Sequence, residues 1–284
     1  MKRAAVLVAV AFALPAAGCG SRHSAPVPSI AWAPVARACS SGAPDCVALV
    51  VAAMTQRYRP LAAVCDHDAA FALMYLRVTE AVGRAEPSFA ARRYLAQLDA
   101  RFAKLYFDAY DNWRSGRRAA VPLAWQIAFE ATEKGRVTGV GDLLLGMNAH
   151  ISRDLPFAVR AAGAAGAADR RSFEQVNTVL ERVAKPMLGE ESRRFDSTIS
   201  RFSLPVISAS PDTFGALLAG WRNDALQDAD RLVHAASAKE RAAVALSIER
   251  KAATRAALIA AATSRVPYSR AGKERDAFCR SNRA

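Results

Sequence analysis

The stretch "GDLLLGMNAHISRDLPFAV", Gly141 to Val159, sets Asn148, His150, Arg153 and Asp154 inside a leucine-rich run. Residues four apart share one face of a helix, so His150 and Asp154 are brought side by side. A histidine with a carboxylate neighbour can ligate a metal, or act as a general base whose partner fixes its tautomer. On the same helix Leu144, Met147, Ile151 and Leu155 make an apolar stripe. His150 and Asp154 lie along one edge of it and Asn148 along the other, so all three face the core or its rim. Burial without a partner would cost each about 1–3 kcal/mol, so each requires one. A structural role satisfies the same pattern. Pro156 breaks the helical ladder, Asp154 can cap the helix that follows, and His150 can bond to backbone or to Asp154.

Two more acids could join this group. In "DAAFALMYLRVTEAV" both faces of the helix are apolar, which implies that Glu80 is buried. In "LAQLDARFAKLYF" Asp99 borders the stripe of Leu95, Leu98, Phe102 and Tyr106. Carboxylates and histidines on facing helices are how helical bundles hold metals. His150, Asp154 and Glu80 are thus the candidate ligands of a divalent metal ion and the candidate catalytic set, with Asn148, Arg153 and Asp99 as substrate contacts. The competing expectation for Glu80 is a salt bridge, with Arg153 as partner. His67, in "CDHDAAF", reads as an exposed turn residue with Asp66 or Asp68 as cap; His23 and His234 have no convincing partner. No GxSxG, HExxH, P-loop or GxGxxG pattern occurs.

The elements that must position these groups are helical. From Val47 onward the apolar period is that of helices, expected over 45–58, 67–83, 88–114, 121–133, 139–154, 156–165, 172–188, 211–236 and 238–264. Ser88, Ser172, Ser210 and Ser237 are expected at helix starts and Gly116 just past an end. The fold class is all-α, one multi-helix domain over 41–284 whose last two long helices form an antiparallel hairpin.

The first residues, "MKRAAVLVAVAFALPAAGCGSRHSAP", have a basic start, a short apolar run and small residues, the parts of an export signal. Residues 1–18 are expected to be a lipoprotein signal, Cys19 the lipidated residue, and 19–40 a Ser/Ala/Pro-rich tether. Four cysteines remain, and an even number in an exported chain implies two disulfides. Three pairings are possible; Gly42 and Pro44 in "CSSGAPDC" favour Cys39–Cys46, and Cys65–Cys279 would then be the second. The formal charge of +13 becomes 13 − 2 = +11 once Lys2 and Arg3 leave with the signal. That charge suits anionic lipid or an acidic envelope polymer. It is spread without a basic block or interleaved aromatics, which speaks against nucleic acid as a partner.

"GMNAHISRDLPFAV" resembles the signature of a bacterial family known as domain of unknown function 5995, whose members carry a "GMNAHINRDLP" core. "CDHDAAFALMYLRVTE", "FAKLYFDAYDNW", "VPLAWQIAFEA" and "RDAFC" resemble it too. Asn148, His150, Arg153, Asp154, Leu155 and Pro156 match the core, and Ser152 stands where the family usually has Asn. The resemblance implies an α-helical exported domain centred on this motif and brings no activity or cofactor with it. Three functions fit the residues. One is a metal-dependent hydrolase of the cell envelope. The second is a tethered protein that captures a lipid or apolar small molecule, and the third is a structural envelope protein.

Overall fold

The computed structural model describes residues 29–163, 166–201, 203, 204, 208–210, 212–264 and 268–282. Among them no strand forms; the only β pairing is the isolated bridges Val137–Ser264 and Leu204–Ala209. The all-α expectation is met. The described part has no helix long and apolar enough to cross a membrane. The signal, Cys19 and His23 lie outside the described residues.

Helices α1 (Trp32–Ser41), α2 (Cys46–Ala63), α3 (Asp68–Ala85), α4 (Arg92–Arg114) and α5 (Leu123–Lys134) come first. They are followed by α6 (Gly139–Asn148), a π turn (Ala149–Asp154) and α7 (Leu155–Ala162). The chain ends with α8 (Ala167–Arg194), α9 (Phe214–His234), α10 (Ala238–Thr263) and α11 (Tyr268–Asn282). Every residue of α6 is buried. Its glycines let neighbours press against its backbone: a Cβ on Gly146 would stand 2.4 Å from the Phe71 ring, and one on Gly141 2.4 Å from Thr263 Oγ1. Lys251 pairs with Asp228 and Arg255 with Asp224, which fixes α9 and α10 as an antiparallel pair.

Several local expectations are corrected. Residues 32–41 are not tether: α1 buries Val35 and Cys39, and Trp32 meets Phe107 edge-on at 5.5 Å. The spacing Trp32, Val35, Cys39 is helical, but Pro and Ser around it dominate the composition. Ser172 does not start a helix; it sits inside α8, where its hydroxyl accepts from the Ala91 amide at 3.0 Å. Ser88 closes a 3₁₀ turn, and α4 begins at Arg92. The helix after Ser210 begins only at Phe214, and a further helix, α11, lies beyond the last expected one. Ser237 does cap α10 by accepting from the Glu240 amide, and Gly116 does adopt φ +76° past α4.

Both expected disulfides are present. Cys39–Cys46 joins α1 to α2, and Cys65–Cys279 ties the start of α3 to α11.

Candidate functional site

The motif lies on the π turn. Proline at 156 has no amide to give, and its ring would clash with the carbonyl one α-turn back, at Ser152. Widening the preceding turn to the π spacing removes that conflict, and such turns recur at functional sites. Across this turn His150 Nδ1 stands 3.1 Å from Asp154 Oδ2. The same oxygen accepts from Trp125 Nε1 at 2.8 Å, and Oδ1 accepts from Arg153 at 2.9 Å. Asp154 makes no side-chain cap to α7, so its expected capping role is replaced by this three-donor arrangement.

The other polar groups of the motif reach the α9–α10 pair. Asn148 Nδ2 donates to the Ala252 carbonyl at 2.8 Å, and Arg153 Nε donates to Glu249 at 2.6 Å. Arg255 bridges Ser152 Oγ at 2.7 Å and Asp224 at 3.1 Å. The guanidinium of Arg153 also lies 4.8 Å over the Phe157 ring. The expected substrate contacts Asn148 and Arg153 are therefore engaged inside the protein.

An aromatic cage encloses His150. Phe102 stacks on its face at 3.4 Å and 6°, Tyr75 approaches edge-on at 4.4 Å, and Phe71 and Trp125 close the sides. Desolvation holds the imidazole below its ordinary pKa, against the opposing pull of Asp154, which favours the neutral form. A carboxylate at Nδ1 places the proton there, leaving Nε2 as a lone pair. Nε2, the Tyr75 hydroxyl and the Tyr106 hydroxyl are buried with no hydrogen-bond partner among the described residues. Asp99 borders the cage from α4. It is partly exposed, but its Oδ2 is shielded, and desolvation, with repulsion from Glu86, pushes its carboxyl up to about 7.

Glu80 is not part of this cluster. It pairs with Arg77 at 3.0 Å, and Arg77 also binds Glu190 of α8 at 2.7 Å. The face of α3 that carries Glu80 opens toward α8, while the face with Phe71 and Tyr75 meets His150. Neither burial beside the motif nor a bridge to Arg153 is found. The ligand set His150, Asp154, Glu80 is not assembled, and no group of three or more His, Cys, Asp or Glu that could hold a metal occurs among the described residues.

Sequence reasoning misplaced His67. It is buried, with Nδ1 at 3.0 Å from Asp142 and Nε2 at 3.1 Å from Asp276. Asp66 accepts from the Asp68 amide as expected of a cap. Arg275 stands 3.8 Å from Asp142, so this second buried cluster fastens α11 to α3 and α6. The apolar run after His67 hinted at burial, but its partners are far away in sequence. His234 is exposed and bonds to the Asp230 carbonyl at 2.8 Å, one turn back on its own helix.

A cleft of about 690 Å³ lies among α1, α4 and α7. Trp32, Leu105 and Phe157 line it with Ala36, Ala100, Ala158 and Ala161, and Arg37, Arg101, Lys104 and Arg160 add basic groups. Small residues on three neighbouring helices leave the trough that larger ones would fill. None of His150, Glu80 and Asp99 lines it. The motif still shapes it, because the π turn sets the direction of α7 and Arg153 braces Phe157.

No curated protein and no solved structure matches the chain. The sequence model of a family of unknown function, DUF5995, matches residues 47–262, which takes in α2 to α10, the cage and the motif. The chain belongs to that family.

Proposed function

We propose that this protein is an exported lipoprotein, anchored through Cys19, that captures an amphiphilic small molecule in the cleft between α1, α4 and α7. The cleft carries the reading. Its volume falls in the range of small-molecule sites, about 300–1,000 Å³, and its lining is predominantly apolar. Two disulfides suit an oxidising compartment, as does the signal-like start of the chain. The cleft begins on α1, the first described helix after Cys19, so the capturing surface stands close to the anchor in sequence.

In this reading the motif is a positioning device. Asp154 gathers Trp125, His150 and Arg153; Asn148 and Arg153 hold α10; and α7 is thereby held as one wall of the cleft. A metal-dependent hydrolase receives less support, since its third ligand is bound to Arg77 elsewhere.

The test uses the full chain with Cys19→Ser, so that no acyl anchor forms, purified without detergent. The neutral fluorescent probe N-phenyl-1-naphthylamine is expected to bind saturably at one site. Ala36→Trp and Ala161→Trp, which add bulk at exposed positions of the lining, should each remove most of that binding without changing the helical circular dichroism. Competing alkyl compounds should gain about fifteenfold in affinity per two added methylenes, at about 0.8 kcal/mol per buried methylene, until the cleft is full. A folded protein with no saturable site would refute capture.

A further inference from the structure

We infer that the cleft selects single-chain amphiphiles with an anionic head, a carboxylate or a phosphate, held by Arg37, Arg101 and Arg160. This rests on the capture reading and adds the class of ligand.

The charge of the lining is one-sided. Four basic side chains come from three helices, Arg37 from α1, Arg101 and Lys104 from α4 and Arg160 from α7, and no Asp or Glu is among the lining residues. Lys104 is engaged by Asp108 one turn along α4. Arg37, Arg101 and Arg160 have no side-chain hydrogen bond, ion pair or ring contact among the described residues. Elsewhere the arginines that border the interior are matched: Arg153 by Asp154 and Glu249, Arg77 by Glu80 and Glu190, Arg57 by Asp111. Three guanidinium groups thus rim one apolar trough with no anionic side chain beside them in its lining, and the anionic head of a ligand would supply that counter-charge.

The chemistry of the guanidinium narrows the head group. Its planar fork of N–H donors matches the two oxygens of a carboxylate or phosphate, and it is less strongly hydrated than an ammonium. A neutral polyol head would find few acceptors here, and a cationic head would be repelled. The floor narrows the tail. Trp32, Leu105 and Phe157 with the four alanines form one trough between three helices, and its volume is that of a single small ligand. Apolar burial supplies affinity, while the arginines supply orientation and selection.

Three probes with equal twelve-carbon tails separate the possibilities: dodecanoate, dodecyl phosphate and the neutral monolauroylglycerol. Each is titrated calorimetrically, below its micelle concentration at pH 8, into the full chain carrying Cys19→Ser. The anionic probes are expected to bind at least about tenfold tighter than the neutral one, since hydrogen bonds to charged groups discriminate at that level. Rising salt should erode the difference. The triple variant Arg37→Gln/Arg101→Gln/Arg160→Gln should abolish the preference, so that within that variant the anionic probes bind no tighter than monolauroylglycerol; the fold should persist, because all three side chains are exposed and hold no side-chain partner among the described residues. Preference for dodecanoate would identify a fatty-acid-like source, and preference for dodecyl phosphate a lysophospholipid-like one; either supports the inference. Equal binding of charged and neutral probes would overturn anionic selection while leaving capture intact. Binding of none of them, by a protein with wild-type circular dichroism, would overturn both.

Discussion

Asp154 accepts hydrogen bonds from Trp125, His150 and Arg153, and it does so at a fully buried position. Of these contacts, the pairing with His150 was legible from the sequence, because a spacing of four is local helical geometry. Trp125 was not, since nothing in residues 141–159 says which distant donor will reach the carboxylate. Glu80 shows the opposite failure: both faces of α3 are apolar, but only the tertiary packing tells which face meets α8 and which meets His150. Asp99 offers a test at this scale. Its folded-state pKa of about 7 exceeds the ordinary carboxylate value near 4, so between those pH values the folded protein keeps a proton that the unfolded chain has released. Stability contributed at this position is therefore lost as pH rises from about 4 to 7. Asp99→Asn is expected to raise the urea midpoint at pH 8 and to change it little at pH 4. An equal shift at both pH values would rule out protonation as the cause.

At the scale of elements, α6, the π turn and α7 act as one unit. α6 can run through the centre because Gly146 lets the Phe71 ring rest on its backbone, and Phe71 in turn forms a side of the cage around His150. Gly146→Ala forces a Cβ to 2.4 Å from that ring. The substitution is expected to cost about 1–3 kcal/mol by overpacking. Gly220, in α9, has open space around its would-be Cβ and no positive φ, so Gly220→Ala should stabilise by about 0.5–1 kcal/mol. Thermal melts of the two variants should move in opposite directions; a matched decrease would mean that helix propensity and packing have been misassigned. Helix existence was readable almost throughout, and boundaries less so. Ser172 looks like a cap in sequence, but its hydroxyl serves the Ala91 amide, a distant group that no local pattern reveals.

At the scale of the whole molecule, two disulfides and two buried polar clusters among the described residues help to close the fold. Cys65–Cys279 spans 214 residues and, with His67, Asp142, Asp276 and Arg275, fastens α11; Cys39–Cys46 spans 7 and fastens α1, a wall of the cleft. Loop-closure entropy makes the long link worth about 5 kcal/mol and the short one about 2–3 kcal/mol. Cys65→Ser/Cys279→Ser is therefore expected to lower stability more than Cys39→Ser/Cys46→Ser, while the latter should weaken probe binding more. Chemical denaturation and probe titration of the two variants read these effects separately; the same rank order in both would contradict the role given to α1. By itself the sequence determined the helical class, the even number of the four described cysteines and the i,i+4 meeting of His150 with Asp154; it favoured one of three cysteine pairings, which the structure then settled. All of these depend on local periodicity, or on a count with few solutions. Only the tertiary structure decided that Trp125 completes the Asp154 site, that Glu80 leaves it, that His67 is buried, and that an apolar cleft with basic groups lies on the α1–α4–α7 face. Those outcomes depend on which helix faces meet, and the free energy that selects them is spread over contacts between residues far apart in the chain.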